Sequence, residues 1–167
     1  MFTGGIPYYL SMFRKGWNLA RNIDNLCFEA GTKLKNEFTR LFYSIFTNAE
    51  DCIKIVRTLS KKKEGYTRKE IAELTKIPYG GGLNDTLKAL TESRFIATYT
   101  PFGESIRGQR YLLVDFFCLF YLNFMDKNKS SNTRFWQDNL LSPSLNAWRG
   151  LAFENICYAH VRQIKRR

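Results

Sequence analysis

The side chains with the most capacity for chemistry in this 167-residue chain are cations, with 26 Lys and Arg against 15 Asp and Glu and a formal charge of +11 at pH 7. That balance suits a polyanionic partner such as nucleic acid. The cations are clustered. Lys61, Lys62 and Lys63 form a run, Arg68 and Lys69 follow it, and Arg107 and Arg110 stand in or beside a turn-rich stretch. Side chains of this kind on flanks and loops contact phosphate oxygens, which fixes a protein on a duplex without reading its bases. Between the clusters lie Asn84, Thr86 and Lys88, in a segment where Lys88 and Arg94 are offset by Asp85 and Glu92. A helix that reads a groove usually carries an excess of Arg, Lys, Asn or Gln. The pattern therefore fits phosphate contact better than base readout. A solvated basic surface accounts for these residues equally well, and Arg162, Lys165, Arg166 and Arg167 place part of the charge at the very end.

Catalytic constellations are sparse. Metal-assisted hydrolysis needs several acids converging with a lysine or a bound water. Glu154 is the one weak candidate, and an ordinary helix carboxylate near Arg149 and Tyr158 is the plainer account of it. His160 is the single histidine, and no serine or cysteine in an elbow motif accompanies it. Cys27, Cys52, Cys118 and Cys157 are far apart with no Cys-x-x-Cys pair, which predicts reduced, mostly buried thiols in a cytoplasmic protein and no metal site. Gly4-Gly5 lacks the spacing and the Gly-Lys-Ser/Thr ending of a phosphate loop. No run approaches the ~20 apolar residues of a membrane span, so no membrane partner is expected. No signal peptide is evident at the start.

The elements that must position the cations can be placed from pattern. Ile53, Val56 and Leu59, widened by Ile55, give a first helix one apolar face. Lys61 to Gly65 ends it, with Gly65 suited to a left-handed cap. Thr67 and Glu70 form a capping box opening a second helix whose inward face is Ile71 and Leu74, and Ile77-Pro78 stops it. Gly80-Gly81-Gly82 allows a tight turn, and Leu83, Leu87 and Leu90 mark the inner side of a third helix. Phe95 to Thr100 and Gln109 to Asp115 are rich in β-formers, with the polar, turn-rich Pro101 to Gly108 between them. Helix, helix, helix, strand, turn, strand is the order of a winged helix-turn-helix.

Before it, Pro7 opens a short apolar helix, Asn22 to Leu26 starts a second that breaks near Gly31, and Leu34 to Phe46 reads as a longer helix with an aromatic stripe. After it, Asp115 to Met125 is apolar nearly all round and is expected to be buried on several sides. Lys127 to Thr133 is a polar connector, Phe135-Trp136 lies in a loop-and-short-helix region, and Leu145 to Arg167 makes a final helix with no glycine or proline stop at its end. That ending suggests a chain cut within or just after an element. The fold class expected is mainly α: a helical lid-like bundle over 1–48, a winged helix-turn-helix with a small β-wing and a packing helix over 49–126, and C-terminal helices over 127–167.

Three segments together resemble archaeal-type AAA+ ATPases. Thr3-Gly4-Gly5-Ile6-Pro7-Tyr8-Tyr9-Leu10 is similar to the start of their lid. Asn48 to Asp51, Gly80 to Leu83 and Thr100 to Gly103 are similar to their winged helix. Asp115 to Tyr121 and Trp148 to Glu154 resemble the start of the domain of unknown function behind it, which is similar to the PD-(D/E)xK nuclease fold; Glu154 occupies the place of its first-helix acid. The chain has no Gly-x-x-x-x-Gly-Lys-Ser/Thr and no Asp…Glu-x-Lys after Glu154. The ATPase core and any nuclease centre are therefore expected outside these residues, as parts of the same larger protein. The resemblance implies ATP and magnesium for that larger protein and no cofactor here. Arg14 or Arg21 is the candidate for a lid arginine that senses nucleotide.

The leading expectation is a non-catalytic region that binds double-stranded DNA or relays nucleotide state to a partner domain. A freestanding winged-helix transcription regulator and a fragment of a PD-(D/E)xK-like nuclease are the alternatives. A regulator would need a dimerisation element to set two reading helices in successive grooves; nothing repeats or shows heptads, although Phe116 to Met125 could serve.

Overall fold

The structure is a computed structural model that describes Thr3, residues 6–128 and residues 132–165, without the side chains of Lys33, Arg107, Ala159 and Arg162. In chain order the elements are α1 (Pro7–Ser11), α2 (Leu19–Cys27), α3 (Glu37–Ile45), α4 (Ala49–Leu59), β1 (Tyr66–Thr67), α5 (Arg68–Thr75), α6 (Gly81–Glu92), β2 (Ile96–Tyr99), β3 (Arg110–Leu113), α7 (Phe116–Phe120), α8 (Phe135–Asp138), α9 (Pro143–Ala159) and α10 (Val161–Ile164). The fold is mainly helical with one small antiparallel sheet of order β1-β3-β2. No helix of the described residues is long and apolar enough to cross a membrane.

The described residues divide into two compact units, one from 3–33 with 132–165 and the other from 34–128. This differs from divisions after 48 and 126, and the aromatic stripe explains part of the difference. Phe38 and Phe42 are fully buried, Phe42 and Phe46 pack on Phe95, and Phe38 stacks on Tyr121 with ring centroids 4.5 Å apart. These residues belong to the same core as the sheet.

In the 34–128 unit α4 is the hub. It packs against α3, α5, α6 and β3, because Cys52, Ile55, Val56 and Leu59 form a continuous buried face. Leu83, Leu87 and Leu90 of α6 and Ile71 of α5 complete the core, each at most 1% exposed. Thr67 caps α5 as expected. The Glu70 backbone N–H donates to Thr67 Oγ1, and the Thr67 backbone N–H donates to Glu70 Oε2 at 2.7 Å. The Thr67 N–H, with the Thr67 hydroxyl donating to the same oxygen at 2.8 Å, holds the Glu70 carboxyl below its usual 4.5.

Four local expectations are corrected. Leu74 is 55% exposed, and Ala72 faces inward in its place. Helix α5 ends at Thr75 with Lys76 in the left-handed conformation, before Ile77-Pro78 is reached. Gly65 does not cap α4, which ends at Leu59; its φ of +70° serves the turn into β1, where a Cβ would overlap the Tyr111 carbonyl oxygen. The third expected helix is shorter than 34–46, since its regular part is Glu37–Ile45 and Ile45 is exposed. Strand β1 was not expected. Its pairs Tyr66–Tyr111 and Thr67–Arg110 exist only across the sheet.

Helix α7 is capped by Asp115, whose side chain accepts from the Cys118 N–H at 2.7 Å, and it continues as a π-helical turn over Tyr121–Met125. Phe117, Cys118, Leu119, Phe120, Leu122 and Phe124 are buried, which explains the apolar run. Arg57 of α4 holds the end of that turn through a two-pronged pair with Asp126, at 3.1 Å for the longer bond.

In the other unit, α2 packs on α8. Asp24 is 2% exposed and accepts from the backbone N–H of Trp136 at 2.7 Å and of Gln137 at 3.1 Å, and from Gln137 Nε2 at 2.9 Å. It does for α8 what an N-cap side chain would do, from a different helix. Phe28 and Phe135 pack beside this contact. Helix α9 is opened by the Ser142 cap and Pro143, and His160 separates it from α10. Arg166 and Arg167 lie outside the described residues. Cys27, Cys52 and Cys118 are buried free thiols; burial pushes Cys52 up to about 11 and also raises Cys27 and Cys118.

Candidate nucleic-acid interface

Strand pairing decides which cations come together. Arg110 sits opposite both Thr67 and Tyr99, at the end of the sheet from which the β2–β3 loop leaves. Because Thr67 is the last residue of β1 and the cap of α5, Arg68 and Lys69 start their helix at that same end. Lys62 joins them, 3.8 Å from Glu70 and 5.0 Å from the Tyr66 ring centroid. Arg110 also lies close enough to lower the Glu70 carboxyl. Lys62, Arg68, Lys69 and Arg110 thus share one end of the sheet, with Glu70 as the carboxylate among them. Lys61 and Lys63 are exposed in the turn that precedes β1.

Arg68 is held rather than loose. Its guanidinium lies over the Tyr79 ring, 4.0 Å from the centroid, and Nη2 donates to the Gly80 carbonyl at 3.4 Å. Its Nε is buried without a partner. Tyr111 lies nearby; burial raises its phenol, and the charge of Arg68 opposes that shift. The contact with Gly80 sets Arg68 beside the start of α6. There Gly80, Gly81 and Gly82 carry no side-chain cap, none has a positive φ, and a Cβ at any of them would meet nothing within 4 Å. The expected tight turn does not require these glycines.

Along α6, Asn84 and Lys88 are exposed and share a face by their four-residue spacing. Lys88 is 3.8 Å from Glu92. Thr86 is corrected: it is 6% exposed, its hydroxyl donates to the Gly82 carbonyl at 2.8 Å, and it belongs to the buried side of α6. Its position between Leu83 and Leu87 carried that signal. The Arg107 side chain lies outside those described.

Sequence reasoning missed the aromatic and apolar part of this face. Tyr79 is 62% exposed while supporting Arg68, and the Tyr99 hydroxyl donates to the Glu64 carbonyl at 2.9 Å. At the β2–β3 loop, Phe102 and Ile106 project fully into solvent. Aromatic residues next to proline or glycine in a polar stretch were the available signal.

The remaining candidates lie in the other unit. Arg14 and Arg21 both stack on Trp17, at 4.5 and 4.0 Å from its centroid. Asn22 fixes that arrangement by accepting from the Arg14 N–H at 2.8 Å and donating to the Arg14 and Trp17 carbonyls. Arg21 lines a cleft of about 350 Å³ with Asp24, Glu29, Arg134 and Gln137, in which cations and carboxylates balance. Glu154 is exposed on α9. Among the described residues no group of three or more His, Cys, Asp or Glu could hold a metal ion. Set against protein-family models, curated proteins and solved structures, the chain matches none of them.

Proposed function

We propose that residues 49–113 form a winged helix-turn-helix, and that the chain is a non-catalytic, cytoplasmic region of a larger archaeal-type AAA+ ATPase that binds duplex DNA through its phosphates. The observation carrying this is the sheet. A two-residue strand between α4 and α5 pairs with the second strand of the β2–β3 hairpin, so that α5, α6 and the hairpin loop are held on one three-stranded support. That support collects Lys62, Arg68, Lys69 and Arg110 at its loop end. The mixed charge of α6 favours backbone contact over base readout.

Fluorescence anisotropy with a mixed-sequence duplex at several salt concentrations tests this reading. Each phosphate neutralised contributes a salt slope of about −0.9. Arg110→Ala and Lys69→Ala should each weaken binding on all sequences and reduce the slope by about one. Absence of binding at low salt, or slopes unchanged in both variants, would sink the DNA reading. Relay to a protein domain is the second reading. It is favoured by Leu74 and Tyr79, which leave 55% and 62% of their surface exposed, and by Asp85 and Glu92 on α6 itself.

A further inference from the structure

We propose that the β2–β3 loop is an apolar wedge: Phe102 enters the minor groove of duplex DNA and unstacks one base step while the cations at the base of the loop hold the flanking phosphates. This rests on the DNA-binding reading and specifies how that site engages its ligand.

Phe102 is 107% exposed and Ile106 85%, the highest values among the described apolar side chains of residues 34–128. They are not exposed because the loop is slack. The Glu104 N–H donates to the Pro101 carbonyl at 3.0 Å, the Gly108 N–H to Ser105 at 2.8 Å and the Gln109 N–H to Ile106 at 3.1 Å. Gly103 turns the chain at φ +83°. These three bonds close the loop on itself while two large apolar groups stay out of the core, where each would otherwise contribute by burial.

Charge complementarity selects the occupant. The loop springs from the sheet end that carries Arg110, Arg68, Lys69 and Lys62, and its one carboxylate, Glu104, is folded against Gly108. An apolar tip on a cationic base is the composition with which minor-groove proteins pry apart a base step, while their Arg and Lys meet the adjoining phosphates. A purely phosphate-binding loop has no use for Phe102, since counterion release needs cations alone.

The test uses the full chain and duplexes carrying 2-aminopurine at successive steps, with dyes at the two ends to read bending. The wild type should raise 2-aminopurine fluorescence at one step and shorten the end-to-end distance. Phe102→Ala should lose both signals and bind about tenfold more weakly with an unchanged salt slope. Phe102→Trp should retain the unstacking signal. Both variants change a fully exposed side chain, and circular dichroism checks that they are folded. If Phe102→Ala binds, bends and unstacks as the wild type does, the wedge is refuted while the DNA reading stands. If the wild type binds no duplex, the DNA reading fails and the wedge with it. Phe102-dependent self-association in sedimentation without DNA binding would assign the tip to a protein surface and also overturn the wedge.

Discussion

Replacing Asp24 with alanine removes the acceptor for three donors at once, and their burial sets the magnitude. The Trp136 N–H is in buried surroundings, whereas the Gln137 N–H and side-chain amide are partly accessible. Hydrogen bonds to a charged group contribute about 1.5–3 kcal/mol, and a buried donor left unpaired carries its full desolvation cost. The upper part of that range applies to Trp136 and well under the lower part to the two donors that water can reach, giving a total of about 3–5 kcal/mol. Asp24→Asn keeps one acceptor oxygen and should lose roughly half as much. All 3 tryptophans, Trp17, Trp136 and Trp148, lie in the unit built from 3–33 and 132–165, so intrinsic fluorescence in a urea titration reads that unit by itself. With a urea slope near ~1 kcal/mol/M for so small a unit, Asp24→Ala should lower its midpoint by about 3–5 M or leave it unfolded in buffer. A shift below about 0.5 M would refute the assignment of Asp24 as the clamp between α2 and α8.

Two other consequences are open to measurement. Gly65→Ala should cost about 2–4 kcal/mol, because a Cβ there meets both a positive φ and the Tyr111 carbonyl. Gly103→Ala, with a positive φ but open space around it, should cost only about 1 kcal/mol, and equal losses in urea unfolding would contradict the overlap. Glu70 has its carboxyl held below 4.5 mainly by the Thr67 N–H, so the folded state favours its ionised form. Its contribution is fully present above pH 4.5 and is lost as pH falls through the lower folded value. The stability difference between the wild type and Glu70→Gln should therefore be constant above about pH 5 and shrink toward about pH 3. A difference that stays level on acidification would show that the capping box does not hold the charge.

Much of the 34–128 unit was legible because its signals are local. The spacing of Leu83, Leu87 and Leu90 and the Thr67–Glu70 box are written within single turns of chain, and both structures follow. What the pattern could not show was set by distant partners. Strand β1 is two residues long and exists only because Tyr111 and Arg110 lie opposite it. Gly65 looked like a helix cap, yet its constraint comes from a carbonyl on another strand. The same holds for the candidate interface. Residue types identified the cations, but the sheet register decided that Arg68, Lys69 and Arg110 would share one end, and the stacking of Arg68 on Tyr79 has no sequence period. Asp24 was passed over altogether, since nothing near residue 24 announces donors at residues 136 and 137.

That clamp also imposes an order on the chain during synthesis. Asp24 and the Trp136 N–H are 112 residues apart in sequence, so at ~5–20 residues per second the carboxylate emerges from a ribosome roughly 6–22 seconds before its first partner exists. Through that interval Ile23, Leu26 and Cys27 have no α8 to pack beneath. In sequence the 34–128 unit falls wholly between the two halves, and its own core can close before they meet. Of the two units, the first to begin is therefore the last to finish, and nascent chains halted before residue 135 leave the apolar face of α2 and an unmet carboxylate open to holdases and proteases.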